Sequence, residues 1–357
     1  MDIFDLDKNF VNATVNRDDV EWFNAKSEPF SLHGLYFDET ENRFRRMPPE
    51  AAKKVSAGRD YMSAMTAGGR LRFITNSPFI AIKCVVGPEF KTEGKASQGF
   101  SVYKNNRFRG VLYPNYNQFH AVVDNKITFD GLREPYETGL GDIQINFPNY
   151  NGVYELFIGL QKGCSIQPPK AYKYNKPVVF YGSSITQGGS CTHTGNDYID
   201  LLSRGLDFDY TNLGFSGGAK GDLNMVEYLA SLDASVFVID YDHNAPTVEH
   251  LQNTHYPLYE KIRNAHPKTP ILFLSRPNTD WNPPDAAKRR DVIRATYQQA
   301  KKQGDKQVFF VDGHTLFGKK YRDLCTVDCT HPNDFGFFRM AQNIFPTMKK
   351  ALKRSIQ

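Results

Sequence analysis

The chain has 357 residues, more than one compact core usually organises, so two domains are expected. Its net charge of +5 comes from Lys and Arg scattered along the chain, and the one cluster, Lys288-Arg289-Arg290, falls in a helix-like segment and reads as a solvated face, so nucleic acid is not a favoured partner. No apolar run is long enough to span a bilayer, and the five cysteines (Cys84, Cys164, Cys191, Cys325, Cys329) stand at no zinc-like spacing.

The opening MDIFDLDKNF carries acids where a secretion leader needs a basic flank and an apolar stretch. Through Trp22, Gly34 and Arg46-Met47-Pro48 the chain reads as irregular structure and edge strands. From Arg70 to Leu160 it becomes a series of short strands: RLRFIT, FIAIKCVV, FSVYK, FRGVLY, FHAVV, DIQINF and VYELFIGL. Asn105-Asn106, Asp130-Gly131 and Asn151-Gly152 mark turns between them, and helical periodicity is absent. Residues 1–170 are therefore expected to form an all-β, jelly-roll-like sandwich.

After Gln167-Pro168-Pro169-Lys170 the style changes, and residues 171–357 are expected to form a second domain. Strands at Val178–Tyr181, Tyr210–Leu213, Val236–Tyr241, Ile271–Leu274 and Val308–Val311 alternate with helical patterns around Tyr198–Arg204, Asn224–Leu229, Tyr256–Ala265 and Ala286–Lys302. A last amphipathic helix runs from about Phe335 to Leu352. This alternation predicts an α/β fold with a parallel sheet covered on both faces, whose ligand site lies beyond the carboxyl ends of its strands.

Ser184 follows the first of these strands, in VVFYGSSIT, as a nucleophile or a phosphate ligand would; no G-x-x-x-x-G-K-[ST] pattern accompanies it. Gly214 follows the second strand, Asn244 the third, and His331 lies after the fifth. A serine hydroxyl needs an imidazole to take its proton and a carboxylate to orient that imidazole, roles that His331 and Asp328 suit. The backbone N–H groups of Ser184 and Gly214, with the Asn244 amide, would serve a tetrahedral oxyanion. Simpler readings compete: Ser184 as a helix cap, His331 as an ordinary loop histidine, Asn244 as a turn residue.

Two other motifs compete with this reading. Gly214-Phe215-Ser216-Gly217-Gly218 fits the G-x-S-x-G nucleophile elbow, but Ser216 as nucleophile would leave GSSIT unexplained. Asp240, Asp242 and His243 are types that bind divalent metals, yet no further ligand group has metal spacing, so no metal and no cofactor is expected. Trp281 stands near the rim and is a candidate to stack on a sugar ring. The cysteines read mostly as reduced thiols, although Cys325 and Cys329 are close enough in sequence to bridge in an oxidising compartment.

The four blocks GSSIT, NLGFSGG, DYDHN and DCTHPND, in that order, resemble the SGNH, or GDSL-type, hydrolases over roughly Lys176 to Leu352. Ser184, Gly214, Asn244 and His331 match the family's four markers. Two positions depart from the pattern: Ser183 stands where the family has Asp, and Asp242 where many members have Gly. The N-terminal half is similar to the β-sandwich preceding this domain in some bacterial esterases, including carbohydrate deacetylases. The resemblance implies a flavodoxin-like doubly wound sheet and a cofactor-independent serine esterase acting on small acyl esters, acetyl foremost, of carbohydrate. It implies a periplasmic or secreted enzyme if a leader was removed, and otherwise a cytoplasmic one. A non-catalytic carbohydrate-binding protein on the same fold, and an enzyme for lipid or thioester substrates, are the alternatives; the oligomeric state is left open.

Overall fold

The structure, a computed structural model, describes residues 15–87, 99–114, 122–123, 126–134 and 138–356. The opening MDIFDLDKNF and most of the expected strand FHAVV lie outside them. The chain divides into two compact units, one from residues up to Arg46 together with Ala64–Ala171, the other from Met47–Ser63 together with Tyr172 onward.

The first unit contains β1 (Val20–Asn24), β2 (Ser31–His33), β3 (Tyr36–Asp38), β4 (Arg43–Arg45), β5 (Arg70–Thr75), β6 (Ile80–Val86), β7 (Phe100–Lys104), β8 (Arg107–Leu112), β9 (Val122–Val123), β10 (Lys126–Arg133), β11 (Gly141–Asn146), β12 (Val153–Gln161) and β13 (Ile166–Gln167). Two antiparallel sheets result, in the orders β1-β12-β6-β10-β9 and β13-β5-β11-β7-β8, with β2 beside β5 and a separate β3-β4 pair. Alternate residues of β6, from Ile80 through Ile82 and Cys84 to Val86, share one apolar cluster with Leu71 and Phe73 of β5 and Ile145 of β11. The two sheets thus bury their facing sides against each other, as the period-2 pattern dictates.

In the second unit, β14 (Val178–Gly182), β15 (Tyr210–Gly214), β16 (Val236–Asp240), β17 (Ile271–Leu274) and β18 (Val308–Val311) form a wholly parallel sheet in the order β15-β14-β16-β17-β18. This is the flavodoxin-like doubly wound order, with its switch point between β14 and the two strands beside it. Every residue of β14 and β16 is buried, as expected of strands covered on both faces. The helices are α1 (Pro49–Val55), α2 (Ala57–Ser63), α3 (Ser184–Gln187), α4 (Tyr198–Leu206), α5 (Leu223–Ser231), α6 (Val248–Ala265), α7 (Pro283–Lys302) and α8 (Asp334–Ser355). Val179 and Tyr181 of β14 face a core shared with α5, α6 and α7, whereas Phe180 on the other face meets the Tyr198 ring of α4 edge-on at 6.0 Å.

Two local expectations are corrected. Residues 47–63 are two helices of the α/β unit rather than irregular structure of the sandwich: Pro49 and Glu50 suit a first helical turn, and Met47 and Ala52 enter the second unit's core. The helix expected from Tyr256 begins at Val248, where the Thr247 hydroxyl accepts the His250 N–H at 3.0 Å; Pro257 lies inside it.

Candidate active site

The site begins with a turn that tolerates no side chain. A Cβ on Gly182 would lie 2.3 Å from the Asp240 carbonyl oxygen, and one on Gly214 would lie 2.3 Å from the Gln187 nitrogen. The two glycines let β14 and β15 approach α3 closely. Ser183, at the position where the family has Asp, caps α3: its hydroxyl accepts the Ile185 N–H at 3.2 Å, and its own N–H donates to the Asp240 carbonyl. The substitution replaces one capping side chain with another, since Ser and Asp both accept at this position.

Ser184 opens α3 half-buried, and its Oγ lies 2.8 Å from His331 Nε2. His331 Nδ1 lies 2.6 Å from Asp328 Oδ2. The other carboxylate oxygen accepts the N–H groups of Thr330 at 2.9 Å and His331 at 2.7 Å, so a local turn fixes the acid beside its histidine. Partial burial works against the charge of Asp328, and the hydrogen bonds from the His331 N–H, the His331 ring and the Thr330 N–H outweigh it, holding the carboxyl below its ordinary range. With Nδ1–H donated to a carboxylate, Nε2 is the acceptor for the Ser184 hydroxyl.

Supports from three loops hold this chain of bonds. Asn278 Nδ2 donates to the Cys329 carbonyl at 2.9 Å, in a loop where Cys329 takes the left-handed conformation, with φ +64°. Asn333 caps α8 by accepting the Gly336 N–H at 3.0 Å and donates to the Leu324 carbonyl at 2.8 Å. Asp334 accepts from Thr192 N–H and Asn196 Nδ2, each at 2.8 Å, tying the loop after α3 to the start of α8.

The Gly214 N–H donates to Asn212 Oδ1 at 2.8 Å, so the expectation that it serves an oxyanion meets a committed donor. The following turn differs: Gly217 has φ +67°, a Cβ position open to 4 Å, and an N–H with no hydrogen-bond partner among the described residues. Asn244 Nδ2 donates to the Phe215 carbonyl at 2.9 Å, leaving the amide's second N–H beside the same turn. The glycine pair after Phe215-Ser216 was the sequence signal for this turn. Ser216 itself donates its N–H to Gln187 Oε1 at 3.0 Å, whereas the His331 ring is bonded to Ser184.

Asp240 and Asp242 turn to different tasks. Asp240 Oδ2 lies beneath α3, accepting from Thr186 Oγ1 at 3.0 Å and Tyr198 OH at 3.1 Å, and burial raises its carboxyl well above the ordinary range. Asp242 accepts the Arg276 N–H at 3.0 Å; burial pushes it up to about 6 against the pull of that N–H and of the Arg276 and Arg289 charges. His243 has a buried Nε2 without a hydrogen-bond partner among the described residues, and burial with the nearby Arg276 and His331 charges holds it well below the ordinary histidine range. Among the described residues no group of three His, Cys, Asp or Glu is arranged to hold a metal ion. Trp281 is 66 % exposed, in the turn between β17 and α7. No disulfide joins Cys325, which is buried, to Cys329, which is exposed. No helix among the described residues is long and apolar enough to cross a membrane.

A parallel sheet of this order, with serine, histidine and asparagine gathered at its carboxyl edge, defines the SGNH class of α/β folds. Residues 175–349 match the GDSL-like lipase/acylhydrolase family, and residues 20–166 match the GxDLY domain, the N-terminus of SGNH-hydrolase-type esterases. Among solved structures, the chain is similar to a candidate GDSL-like lipase from Bacteroides ovatus (25% identity, TM-score 0.80, covering 94% of this chain and 98% of that one). A family two carbohydrate esterase from Clostridium thermocellum, in complex with cellohexaose, shares the fold at 14% identity and TM-score 0.63, covering 91% and 99%. An acetyl xylan esterase from Butyrivibrio proteoclasticus does so at 12% identity and TM-score 0.61, covering 94% and 99%. No curated protein sequence matches the chain.

Proposed function

We propose that the chain is a serine esterase that removes small acyl groups, acetyl foremost, from carbohydrate. The observation that carries the reading is the line of contacts from Ser184 Oγ through His331 to Asp328, at 2.8 and 2.6 Å. Ser184 Oγ attacks the ester carbonyl carbon while its proton passes to His331 Nε2; Asp328 steadies the imidazolium. The tetrahedral oxyanion is met by the Ser184 N–H and the Asn244 amide, and we assign the third donor to the Gly217 N–H in place of Gly214. Collapse breaks the ester C–O bond, and the leaving alkoxide takes the proton from Nε2. Water then attacks the acyl-enzyme with His331 again as base, releasing the carboxylic acid and restoring Ser184.

The carbohydrate part of the reading is supported by the similar structures, one bound to cellohexaose and one an acetyl xylan esterase, and by the exposed ring of Trp281. Ser184→Ala is expected to lower turnover of p-nitrophenyl acetate by about 10⁴-fold or more with an unchanged melting temperature. Covalent labelling of Ser184 by an organophosphonate is expected in the wild type. Glycan binding without labelling or turnover would mean a binding protein on this fold. An acyl-length series in which long chains outpace acetate would shift the reading to lipid esters.

A further inference from the structure

We infer that Arg59 is a positioning residue for the oxyanion-binding turn, brought to the α/β unit by helix α2, whose sequence lies among the strands of the β unit. The inference rests on the esterase reading above.

Arg59 is buried, at 2 % exposure. Its guanidinium lies over the Phe215 ring, 4.2 Å from the centroid, and Nη2 donates to the Gly218 carbonyl and stands 3.8 Å from Asp222 Oδ2. Nη1 and Met62 Cε crowd Gly218 so closely that a Cβ there would lie 2.7 Å from each. The turn from Phe215 to Gly218 is therefore gripped at both ends by one side chain.

From its other side the turn is held by the machinery of the nucleophile. The Phe215 N–H donates to the Gly182 carbonyl at 2.9 Å, the Ser216 N–H to Gln187, and Asn244 to the Phe215 carbonyl. Between these anchors Gly217 has no side chain to fix it and a backbone conformation that glycine enters and leaves readily. Within the turn the Gly218 N–H donates to the Phe215 carbonyl at 2.9 Å. Arg59 adds the restraint on the outer side of Gly218, the residue that follows the Gly217 N–H.

The arrangement is costly, which argues that more than packing is served. Arg59 Nε and Nη1 are buried with no hydrogen-bond partner among the described residues, and a buried charged group with unmet donors is unfavourable. A methionine of similar reach would cover Phe215 without that cost. What it would not supply is the directed bond to the Gly218 carbonyl.

The test compares kcat and KM for p-nitrophenyl acetate in the full chain for the wild type, Ser184→Ala, Arg59→Met and Asn244→Ala, and the double variant of the last two. Arg59→Met is expected to lower kcat about ten- to a hundredfold, below the loss for deleting a whole donor, with KM within about twofold. In the Asn244→Ala background the same change should cost less than about threefold, because both act on one oxyanion. Unchanged kcat in Arg59→Met, or an equal loss in both backgrounds, would overturn the inference while leaving the esterase reading intact. A wild type without ester turnover would overturn both. Should Arg59→Met fail to fold, Arg59→Leu decides: it has no donor for the Gly218 carbonyl, so wild-type kcat with it would overturn the inference, and a reduced kcat at unchanged KM supports it.

Discussion

At the scale of single residues, the carboxyl groups near the nucleophile are driven in opposite directions by their surroundings. Asp328 sits in a turn whose N–H groups and histidine favour its charge, whereas Asp240 and Asp242 are buried where charge is penalised. A carboxyl raised in the native state holds a proton that the unfolded chain has already lost, so its contribution to stability falls as pH rises above the unfolded value near 4. For Asp242 the loss levels off near pH 6; Asp240, raised by burial, adds to the same decline. Asp240→Asn, which can still bond Thr186 and Tyr198, is expected to flatten the decline of unfolding free energy as pH rises above about 4 in urea titrations, and parallel wild-type and variant curves would contradict this. Trp281→Ala is expected to raise KM severalfold on acetylated xylan and to leave p-nitrophenyl acetate unaffected. Equal effects on both substrates would remove the ring from sugar recognition. Ser184, His331, Asp328 and Asn244 were legible because each chemistry-bearing type followed a strand or an Asp-x-x-His spacing. The commitment of Gly214 to Asn212 was not, since both lie in one strand and only the hydrogen-bond geometry reveals it.

At the scale of elements, the short helix α3 and the long helix α8 set the two ends of the Ser184 to His331 contact. Each is started by a side-chain cap, Ser183 for α3 and Asn333 for α8. Losing a cap costs about 1 kcal/mol, or roughly 2–4 °C in a domain of this size. Asn333 carries a second bond to the Leu324 carbonyl and lies two residues from His331. Asn333→Ala is therefore expected to lower both the melting temperature and kcat, and a thermal shift with wild-type kcat would show that the cap does not fix the histidine. The strands of the parallel sheet were readable as continuous apolar runs, and the strands of the sandwich as alternating ones. Helix α6 starts before the pattern around Tyr256, at Val248, because the Thr247 hydroxyl caps it there.

At the scale of the whole molecule, the instructive segment is 47–63. It is contiguous in sequence with strands of the β unit, yet Met47 and Ala52 are fully buried in the core of the α/β unit, and the Lys54 carbonyl accepts from Asn224 Nδ2 at 2.5 Å. A fragment beginning at residue 172 lacks these groups. It is expected to unfold at lower urea than the same fragment supplied with the 47–63 peptide, since truncating one large buried apolar side chain costs about 2–5 kcal/mol. No change on adding the peptide would mean that the segment is a passenger. What the sequence determined by itself was whatever short-range pattern encodes: strand and helix periodicity, the change of style near residue 170, and the order of chemical types along one sheet edge. Which N–H points at a developing charge, which carboxyl is buried, and which distant helix braces a turn depend on groups far apart in the chain. Only the tertiary structure decided those, because hydrogen-bond direction and desolvation are properties of neighbours in space.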